Sequence, residues 1–285
     1  MRLCRFSASN SEVRIGIVTE SDNVIDLSSK NVNQLSDVLE QDDPISFLNQ
    51  IDLSKLETHE LGAVTLLPPV DQQEVWAAGV TYFKSKTARM EESDFSATAY
   101  DKVYDAPRPE IFFKSIPDKV VGPDGDVGIR ADATWNVPEP ELALVINSKG
   151  QIVGFTVGND MSSRDIEGEN LLYLPQAKVY DKSCALGPWI VLGKSEAEAR
   201  EWEISIEIKR GATTEFSGAT SINQIKREFS DLAAYLLRSQ SFPHGSILLT
   251  GTGVVPGDDF TLQPGDQIKI TISGIGSITN TVCTV

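Results

Sequence analysis

Short apolar stretches separated by polar turns run along most of the chain, and their spacing predicts strands more often than helices. Near the amino terminus, apolar and polar residues alternate over Arg2–Phe6, Val13–Val18 and Val24–Leu27. Side chains point alternately to the two faces of a strand, so this alternation predicts three half-buried strands. Two short helices are expected around Leu35–Leu39 and after Pro44. Together these elements predict a small β-rich domain.

This amino-terminal domain is predicted to cover residues 1–66, and a larger domain residues 67–285, with a stiff linker at Leu66 to Pro69. The segment Ile222–Arg238 has apolar residues at helical spacing and predicts one amphipathic helix. The polar segment Thr81–Tyr104, rich in helix formers from Lys84 to Ser93, predicts a lid over a site. Further strands are predicted at Val75–Val80, Glu110–Lys114, Trp189–Leu192, Trp202–Lys209, Ile247–Leu249, Phe260–Leu262 and Ile268–Ile272.

The central feature of the larger domain is a predicted hairpin. Glu139 and Glu141 stand two residues apart at the start of the apolar run Leu142–Ile146, so on a strand their side chains share one face. A polar turn follows, and the return strand Ile152–Val157 leads to Asp160, beside the two glutamates. Three converging carboxylates repel one another unless a cation binds between them. Such hard oxygen ligands predict Mg²⁺ and also suit Mn²⁺ or Ca²⁺.

A plainer interpretation of the same residues places Glu139 and Glu141 on the solvated face of a strand and Asp160 at the start of a helix. Pro138 and Pro140 favour the metal site instead. A proline has no backbone N–H to donate to a strand ladder, so the strand is expected to begin at an edge or rim. Metal ligands are often presented at such positions.

Composition excludes several classes of partner. The chain has 285 residues, with 25 Lys plus Arg and 41 Asp plus Glu, and its formal net charge is −16. Nucleic acid and anionic membrane surfaces are therefore poor partners. Cys4, Cys184 and Cys283 are widely spaced and predict no disulfide framework, which suits a reducing compartment. No apolar signal core or bilayer-length apolar run is seen, so a soluble cytoplasmic protein is expected.

Other catalytic motifs are weak. No serine has the G-x-S-x-G setting of a nucleophile elbow, and the two histidines, His59 and His244, are expected in loops. A Ser-His triad and a histidine-bound zinc are therefore not predicted. Gly251–Gly253 begins like a dinucleotide-binding motif, but Pro256 stands where a further glycine is needed, so a turn is predicted. Cys184 has apolar neighbours and is expected to be a core residue.

Four segments, in this order, resemble the fumarylacetoacetate hydrolase superfamily: VPEPELALVI, VGFTVGNDMSSRD, AKVYDKSCALGPWIV and LLTGTG. The resemblance implies an α+β fold, a mixed β-roll or sandwich with peripheral helices and a small β-rich amino-terminal domain. The residues implied to bind Mg²⁺ are Glu139, Glu141 and Asp160. Lys178 is implied to face the substrate, and Thr252 to contact the substrate's carboxylate. Members of the superfamily usually associate, so a homodimer or homotetramer is expected.

One departure from the family pattern narrows the expected reaction. Hydrolases of the superfamily commonly carry G-x-N-Y-x-x-H-x-x-E after the first strand, where the histidine and glutamate activate water. Here Ser85 stands at the histidine position and Ala88 at the glutamate position, and Ser85 is expected to contact the substrate. The stretches RPEIFFKS and GNDMSSRDIEGENLLYLPQAKVYDKSCA resemble the branch that dehydrates 2-keto-3-deoxy sugar acids such as 2-keto-3-deoxy-D-arabinonate.

The implied reaction is loss of water from a 2-keto-3-deoxypentonate, which gives 2,5-dioxopentanoate after tautomerisation. The metal acidifies C3, a base removes the C3 proton, and an acid helps the C4 hydroxyl to depart. Lys178 and Glu110 are the candidates, and the sequence leaves open which of them is the base. Without the family match, a surface salt bridge for Lys178 and a strand-end charge for Glu110 are the plainer interpretations.

Two other functions use the same metal triad. One is a metal-dependent acylpyruvate hydrolase or oxaloacetate decarboxylase. The missing His/Glu pair counts against hydrolysis more than against decarboxylation, in which no water is activated. The other is a non-catalytic module that binds a metal and a keto acid, and the presence of Lys178 and Glu110 beside the three ligands counts against it.

Overall fold

The computed structural model describes residues 1–8, 12–82 and 102–285 of the chain. The strands predicted from alternation at the amino terminus are confirmed. In chain order, the strands are β1 (Arg2–Ser7), β2 (Val13–Val18), β3 (Asn23–Asp26), β4 (Thr58–Glu60), β5 (Thr65–Leu67), β6 (Glu74–Gly79), β7 (Glu110–Ser115), β8 (Val120–Val121), β9 (Asp126–Ile129), β10 (Asn136–Val137), β11 (Pro140–Ile146), β12 (Ile152–Asp160), β13 (Ser162–Ser163), β14 (Cys184–Leu192), β15 (Glu203–Arg210), β16 (Thr213–Ser221), β17 (Ser246–Leu249), β18 (Gln267–Ile272) and β19 (Gly276–Thr284).

The helices are short and lie around the sheets. In the described part of the chain, α-helices span Ser36–Leu39, Pro44–Asn49, Arg164–Glu169, Leu174–Lys178, Glu196–Arg200 and Phe229–Leu237, and one helical turn covers 102–105. Turns of 3₁₀-helix span Ser28–Lys30, Leu53–Lys55, Leu61–Ala63, Pro117–Lys119, Leu171–Tyr173 and Ile222–Gln224. The predicted α+β architecture is confirmed.

A large mixed sheet organises the fold. Within the described residues it has 12 strands, in the order β4-β3-β2-β1-β14-β12-β11-β17-β6-β7, with β5 beside β1 and β8 beside β14. β1 pairs antiparallel with β14, so the amino-terminal strands continue the sheet that contains the hairpin β11–β12. The domain boundary at residue 66 stays a prediction. The predicted linker is wrong in part, because Leu66 and Leu67 pair with β1 as part of β5.

β11 lies in the middle of this sheet and is buried on both faces. Leu142, Leu144 and Ile146 belong to the core between the large sheet and a five-stranded sheet of order β16-β15-β18-β19-β9. Ala143 and Val145 belong to a second core, beneath the amino-terminal helices. A strand buried on both faces has a continuous apolar run rather than alternation. Burying each large apolar side chain stabilises the fold by about 1.5–3 kcal/mol.

The helix predicted over Ile222–Arg238 is shorter than expected. Only a 3₁₀ turn at its start and the helix Phe229–Leu237 form. Between them, Ile225 forms a bridge with Tyr82, and the N–H of Lys226 donates to the carbonyl of Thr81 at 3.1 Å. Hydrogen bonds to another part of the chain replace helical ones at this point.

The strand predicted at Phe260–Leu262 is not formed. The N–H of Leu262 donates to the carbonyl of Asn136 at 2.9 Å, and the N–H of Asn136 donates to Thr261 Oγ1 at 3.0 Å. These two hydrogen bonds with Asn136 hold the segment as a loop, and within the described residues it does not pair with a strand of the large sheet or of the five-stranded sheet. Residues 83–101, which include most of the predicted lid and its helix, lie outside the described residues. No helix in the described ranges is both long and apolar enough to cross a membrane.

Candidate active site and metal centre

Five strand ends meet at one edge of the large sheet. β6 ends at Gly79, and its parallel neighbour β17 ends at Leu249. β11, antiparallel to β17, begins at Pro140, and β12, antiparallel to β11, ends at Asp160. β7 begins at Glu110, directly opposite Gly79. These ends surround one pocket, whose charged lining residues are Glu110, Glu139, Glu141, Asp160, Arg164, Glu167 and Lys178.

Three carboxylates lie together at the bottom of this pocket. Glu139, Glu141 and Asp160 each offer one oxygen, and these oxygens lie within 4.8 Å of one another. The three residues are 3%, 2% and 1% exposed. The predicted convergence is confirmed, and the interpretation that places the glutamates on a solvated face is wrong. Their role as metal ligands stays a prediction.

Glu141 is held where β17 leaves the sheet. Pairing between β11 and β17 ends at Ala143 and Leu249. Two residues later the N–H of Gly251 donates to Glu141 Oε2 at 2.6 Å. Residue 251 must be glycine, because its φ is +90° and a Cβ there would lie 2.2 Å from Thr81 Oγ1. The chain thus turns sharply enough to direct a backbone donor at the carboxylate.

Glu139 is fixed by its side chain and its backbone. Arg164 Nη2 lies 3.1 Å from Glu139 Oε1. The N–H of Glu139 donates to Asn159 Oδ1 at 3.2 Å, and its carbonyl accepts from the N–H of Asp160 at 2.9 Å. These bonds tie the start of β11 to the end of β12. They therefore hold Glu139 close to Asp160.

The environment of Glu141 favours its neutral form. Burial raises the pKa of Glu141 well above its usual range, the Asp160 and Glu139 carboxylates raise it further, and Lys178 opposes this rise. A divalent cation would relieve the same repulsion. The donor set also fits one, since all three residues offer oxygen and hard cations prefer oxygen ligands. The residues present therefore suit Mg²⁺.

Lys178 reaches into the triad from a helix. It is the last residue of the helix Leu174–Lys178, which has Pro175 in its first turn. Its Nζ donates to Glu139 Oε2 at 2.6 Å, to Asp160 Oδ2 at 3.0 Å and to Ser162 Oγ at 2.6 Å. The side chain is 2% exposed, which excludes a surface salt bridge.

Glu110 depends on a glycine on the neighbouring strand. Glu110 pairs with Gly79 across β6 and β7, and both line the pocket. A Cβ on residue 79 would lie 1.9 Å from Glu110 Oε2. Glycine therefore makes room for the carboxylate in the wall of the pocket. Glu110 and Lys178 line the same pocket, as their predicted roles require.

Thr252 lies in the loop after β17 and is 7% exposed. Its Oγ1 donates to the carbonyl of Val254 at 3.1 Å and accepts from the N–H of the same residue at 3.4 Å. These bonds fix the loop in the pocket wall. Contact between Thr252 and the substrate stays a prediction, and Ser85 lies outside the described residues.

Three buried charged residues at or beside the pocket were missed by sequence reasoning. Lys114, Arg164 and Glu167 are 0%, 4% and 2% exposed. Arg164 and Glu167 stand three residues apart on the helix Arg164–Glu169, so they share one face. A usable signal for Lys114 was its position directly after the apolar residues of a predicted strand, where a charge is unexpected.

Cys184 is close to the site without being a candidate nucleophile. It pairs with Asp160 where β12 and β14 meet. Burial raises the pKa of the Cys184 thiol to about 12, so the thiol stays neutral near pH 7. Its predicted place in the core is confirmed.

Comparison with known proteins gives consistent matches. The family model described as fumarylacetoacetate (FAA) hydrolase C-terminal matches residues 74–283. A probable 2-keto-3-deoxyxylonate dehydratase of Haloferax volcanii is 49% identical over 217 residues, which are 76% of this chain and 74% of that protein. The 2-dehydro-3-deoxy-D-arabinonate dehydratase of Saccharolobus solfataricus is 40% identical over 228 residues, which are 79% of this chain and 76% of that protein.

A solved structure extends the match to the whole fold. It is 2-keto-3-deoxy-D-arabinonate dehydratase complexed with magnesium and 2,5-dioxopentanoate. The two structures superpose with a TM-score of 0.86 at 33% sequence identity, and the match covers 100% of this chain and 99% of that one. The likeness therefore includes the amino-terminal strands as well as the residues that the family model matches.

Proposed function

Because the chain belongs to the fumarylacetoacetate hydrolase family, we propose that it is a Mg²⁺-dependent hydro-lyase acting on a 2-keto-3-deoxy sugar acid. The substrate is 2-keto-3-deoxy-D-arabinonate and the product is 2,5-dioxopentanoate. The observation that carries the proposal is the pocket in which Lys178 and Glu110 accompany three buried carboxylates. The names of the relatives supply the substrate class.

The two relatives name their substrates differently, yet the chemistry can be the same. D-Xylonate and D-arabinonate differ only at C2 and C3. Once C2 is a ketone and C3 is a methylene, C4 is the one remaining stereocentre, and both acids have become the same molecule. A single pocket can therefore bind the substrates of both relatives, when the sugar acids belong to the D series.

Glu139, Glu141 and Asp160 are the residues proposed to hold Mg²⁺. The bound cation would supply positive charge beside the keto acid, which acidifies C3. Mn²⁺ and Ca²⁺ satisfy the same oxygen ligands and are alternative occupants. The glutamates are already fixed by Arg164 and by the N–H of Gly251, so little reorganisation is needed when the site fills.

The proton transfers are assigned to Lys178 and Glu110. The C3 proton leaves to one of them, and the other gives a proton to the C4 hydroxyl as the C4–O bond breaks. Water and an unsaturated keto acid result, and the keto acid tautomerises to 2,5-dioxopentanoate. Both orders of the two roles are open. Burial of Lys178 and the triad keeps water away from the reacting carbon.

Two rival functions predict different products from the same pocket. An acylpyruvate hydrolase or an oxaloacetate decarboxylase would release pyruvate, and a binding module would release nothing. Ser85 and Ala88, at the positions of the water-activating histidine and glutamate, disfavour hydrolysis. The acid/base pair in the pocket disfavours a module that only binds.

The assembly is proposed from the family, and the location from the composition. Members of the family associate, so we propose a homodimer or homotetramer, which light scattering coupled to gel filtration tests directly. A cytoplasmic location fits the acidic composition and the absence of a disulfide framework among Cys4, Cys184 and Cys283.

The decisive experiment identifies the product by proton NMR. Purified protein is incubated with 2-keto-3-deoxy-D-arabinonate and Mg²⁺, with an EDTA control and with an acylpyruvate and oxaloacetate in parallel. 2,5-Dioxopentanoate formed only with metal supports the dehydratase. Pyruvate from a parallel substrate points to a rival enzyme, and tight binding without turnover points to the module. Full activity of Glu141→Gln would refute the metal assignment.

Deuterium exchange separates the two acid/base roles. In D₂O, loss of the base stops exchange of the C3 protons, whereas loss of the acid leaves that exchange intact and stops elimination. Lys178→Met and Glu110→Gln are compared, each with Mg²⁺ present. The variant that still exchanges C3 protons but makes no product identifies the acid.

A further inference from the structure

Lys114 is a buried charge that the proposed reaction does not use. It lies near the end of β7, is 0% exposed, and is absent from the lining of the pocket. Burying an isolated ammonium group costs several kcal/mol unless it is paired and hydrogen-bonded. The fold must therefore compensate this charge, and the position of the compensating groups indicates what the residue does.

The Lys114 ammonium has three oxygen partners. Nζ contacts Asp160 Oδ1, donates to the carbonyl of Met161 at 3.0 Å, and donates to the carbonyl of Lys178. The other oxygen of Asp160, Oδ2, lies 3.0 Å from Lys178 Nζ. Lys114 thus bonds to the side chain of a proposed metal ligand and to the main chain of a proposed acid/base residue.

These contacts join two elements that are distant in the sequence. Asp160 ends β12, and Lys178 ends the helix Leu174–Lys178. The last carbonyls of a helix have no helical partner, and a cation is favoured at that end. Lys114 meets both needs at the Lys178 carbonyl and also reaches Asp160. One ammonium group thereby sets the separation of the two elements behind the pocket.

We propose that Lys114 is a positioning residue that holds Asp160 and Lys178 in register for metal binding and proton transfer. The inference rests on the proposed metal site. A lysine suits the task because its ammonium donors spread around one nitrogen toward three acceptors, whereas the donors of arginine lie in a plane. Methionine has a similar length but no donor, so it leaves all three acceptors without this partner.

The test compares Lys114→Met and Lys114→Arg with the wild type. For Lys114→Met we expect the Kd for Mn²⁺, measured without substrate, to rise about tenfold or more, since changing a partner of a metal ligand typically costs about 10–100-fold. We expect kcat at saturating metal to fall by a similar factor, with the KM for the keto acid nearly unchanged. Arginine should not restore either value. Lys119→Met, at an exposed lysine just beyond β7, is the matched control.

Several outcomes would overturn the inference. If folded Lys114→Met keeps the wild-type Kd and kcat and loses only thermal stability, Lys114 is merely structural. If Lys114→Arg restores kcat, the charge matters and the arrangement of donors does not. If the wild type fails to bind Mn²⁺, or if Glu141→Gln binds it equally well, the proposed metal site itself is wrong, and that failure is distinct from the first two.

A measurement on the wild-type protein covers the case in which neither variant folds. With ¹⁵N-labelled lysine, a buried ammonium held by two hydrogen bonds and an ion pair gives a signal that exchanges slowly with water. Lys178→Met assigns it, because the Lys114 signal is the one that persists. We expect the Lys114 signal to shift when Mg²⁺ is added, since Asp160 is shared. An unchanged signal at saturating Mg²⁺ would contradict the proposal.

Discussion

Glu141 is a carboxylate that the fold keeps away from water, and its protonation should control metal binding. Burial and the neighbouring Asp160 and Glu139 carboxylates raise its pKa well above the ordinary value of 4.5. A proton and a divalent cation then compete for the same group. We expect the affinity for Mn²⁺ to weaken as the pH is lowered through the raised pKa, in calorimetric titrations between about pH 5 and pH 8. An affinity that does not change over this range would contradict the prediction.

The same residue predicts how the metal-free protein responds to pH. A carboxyl group with a raised pKa in the folded state binds more protons folded than unfolded between its two pKa values. Its contribution to stability therefore decreases as the pH rises from 4.5 toward the raised value. Urea unfolding in EDTA should show this slope in the wild type and a weaker slope in Glu141→Gln. Equal slopes would show that other groups cause the dependence.

A side chain at residue 79 would collide with the carboxylate of Glu110, so a substitution at Gly79 tests the proposed role of Glu110. In Gly79→Ala the new Cβ would lie 1.9 Å from Glu110 Oε2, so the carboxylate must move. A displacement of about 1 Å in a reacting group can cost about 10²-fold in rate. We expect kcat to fall by about 10–100-fold, with Mn²⁺ affinity preserved, because the three atoms nearest the new Cβ all belong to Glu110. Steady-state kinetics and a Mn²⁺ titration measure the two effects.

The control for this substitution is Gly62→Ala. A Cβ at residue 62 would have nothing within 4 Å, so this variant should behave as the wild type. If Gly79→Ala keeps full activity, the carboxylate of Glu110 has room to move without loss, and its proposed role in proton transfer would be in doubt.

At the scale of elements, the hairpin β11–β12 shows why part of the site could be predicted. Its apolar run, its polar turn and its spacing of carboxylates are all local, and they predict that Asp160 returns beside the glutamates. The register that pairs Glu141 with Gly158 also depends on a shift between Val145 and Ile146, which the pattern does not indicate. Lys114 is noticeable as a charge beside the apolar residues of β7, but its partners could not be found in the same way. They are Asp160 at the end of β12, Met161 just after it and Lys178 at the end of a helix, and no pattern within β7 indicates that these groups meet there.

The strands β16 and β19 were missed for a related reason. β16 is largely exposed and polar, and the buried position between Ile278 and Val282 of β19 is the polar Asn280, so neither has the apolar pattern that identifies a strand. Both form because they pair with β15 and β18, whose isoleucines provide the core. The same kind of non-local bonding shortens the predicted helix at Ile225.

The helix Phe229–Leu237 itself contributes to stability through one face. Leu232 is buried in the core between the sheets, whereas Leu237 is only partly buried. Leu232→Ala should lower the free energy of unfolding by about 2–5 kcal/mol, because it leaves a cavity in a packed core. Leu237→Ala, on the same helix, should cost clearly less. Urea unfolding of both variants provides the comparison, and equal losses would show that the helix packs differently.

At the scale of the whole molecule, one large sheet contains strands from both of the predicted domains, and the predicted boundary at residue 66 itself stays untested. The amino-terminal strands have their own alternation and turns, which locally look like a separate unit. The pairing of Arg2 and Leu3 with β14 continues them into the sheet that contains β11 and β12, and that contact spans almost two hundred residues of sequence. Long-range pairing of this kind has no signal within a short window.

The net charge of −16 predicts the response of the whole fold to salt. Like charges repel more strongly in the compact state than in the unfolded chain, and salt screens them over about 10 Å at 0.1 M. We expect the Tm to rise as NaCl increases to about 0.5 M and then to level off, because the screening of charges saturates. An effect of salt on apolar hydration does not saturate, so it would give a Tm that keeps rising. Each kcal/mol gained should raise the Tm by about 2–4 °C.

The salt experiment must be kept separate from metal binding. EDTA in every sample prevents traces of Mg²⁺ or Ca²⁺ from stabilising the triad, and Na₂SO₄ at matched ionic strength gives the contribution of apolar hydration. A Tm that falls with NaCl would mean that the favourable ion pairs, such as Arg14–Asp26 and Arg210–Asp266, outweigh the net repulsion. A rise that levels off would assign the effect to excess negative charge, and Glu141→Gln, which removes only one buried carboxylate, should follow the same curve.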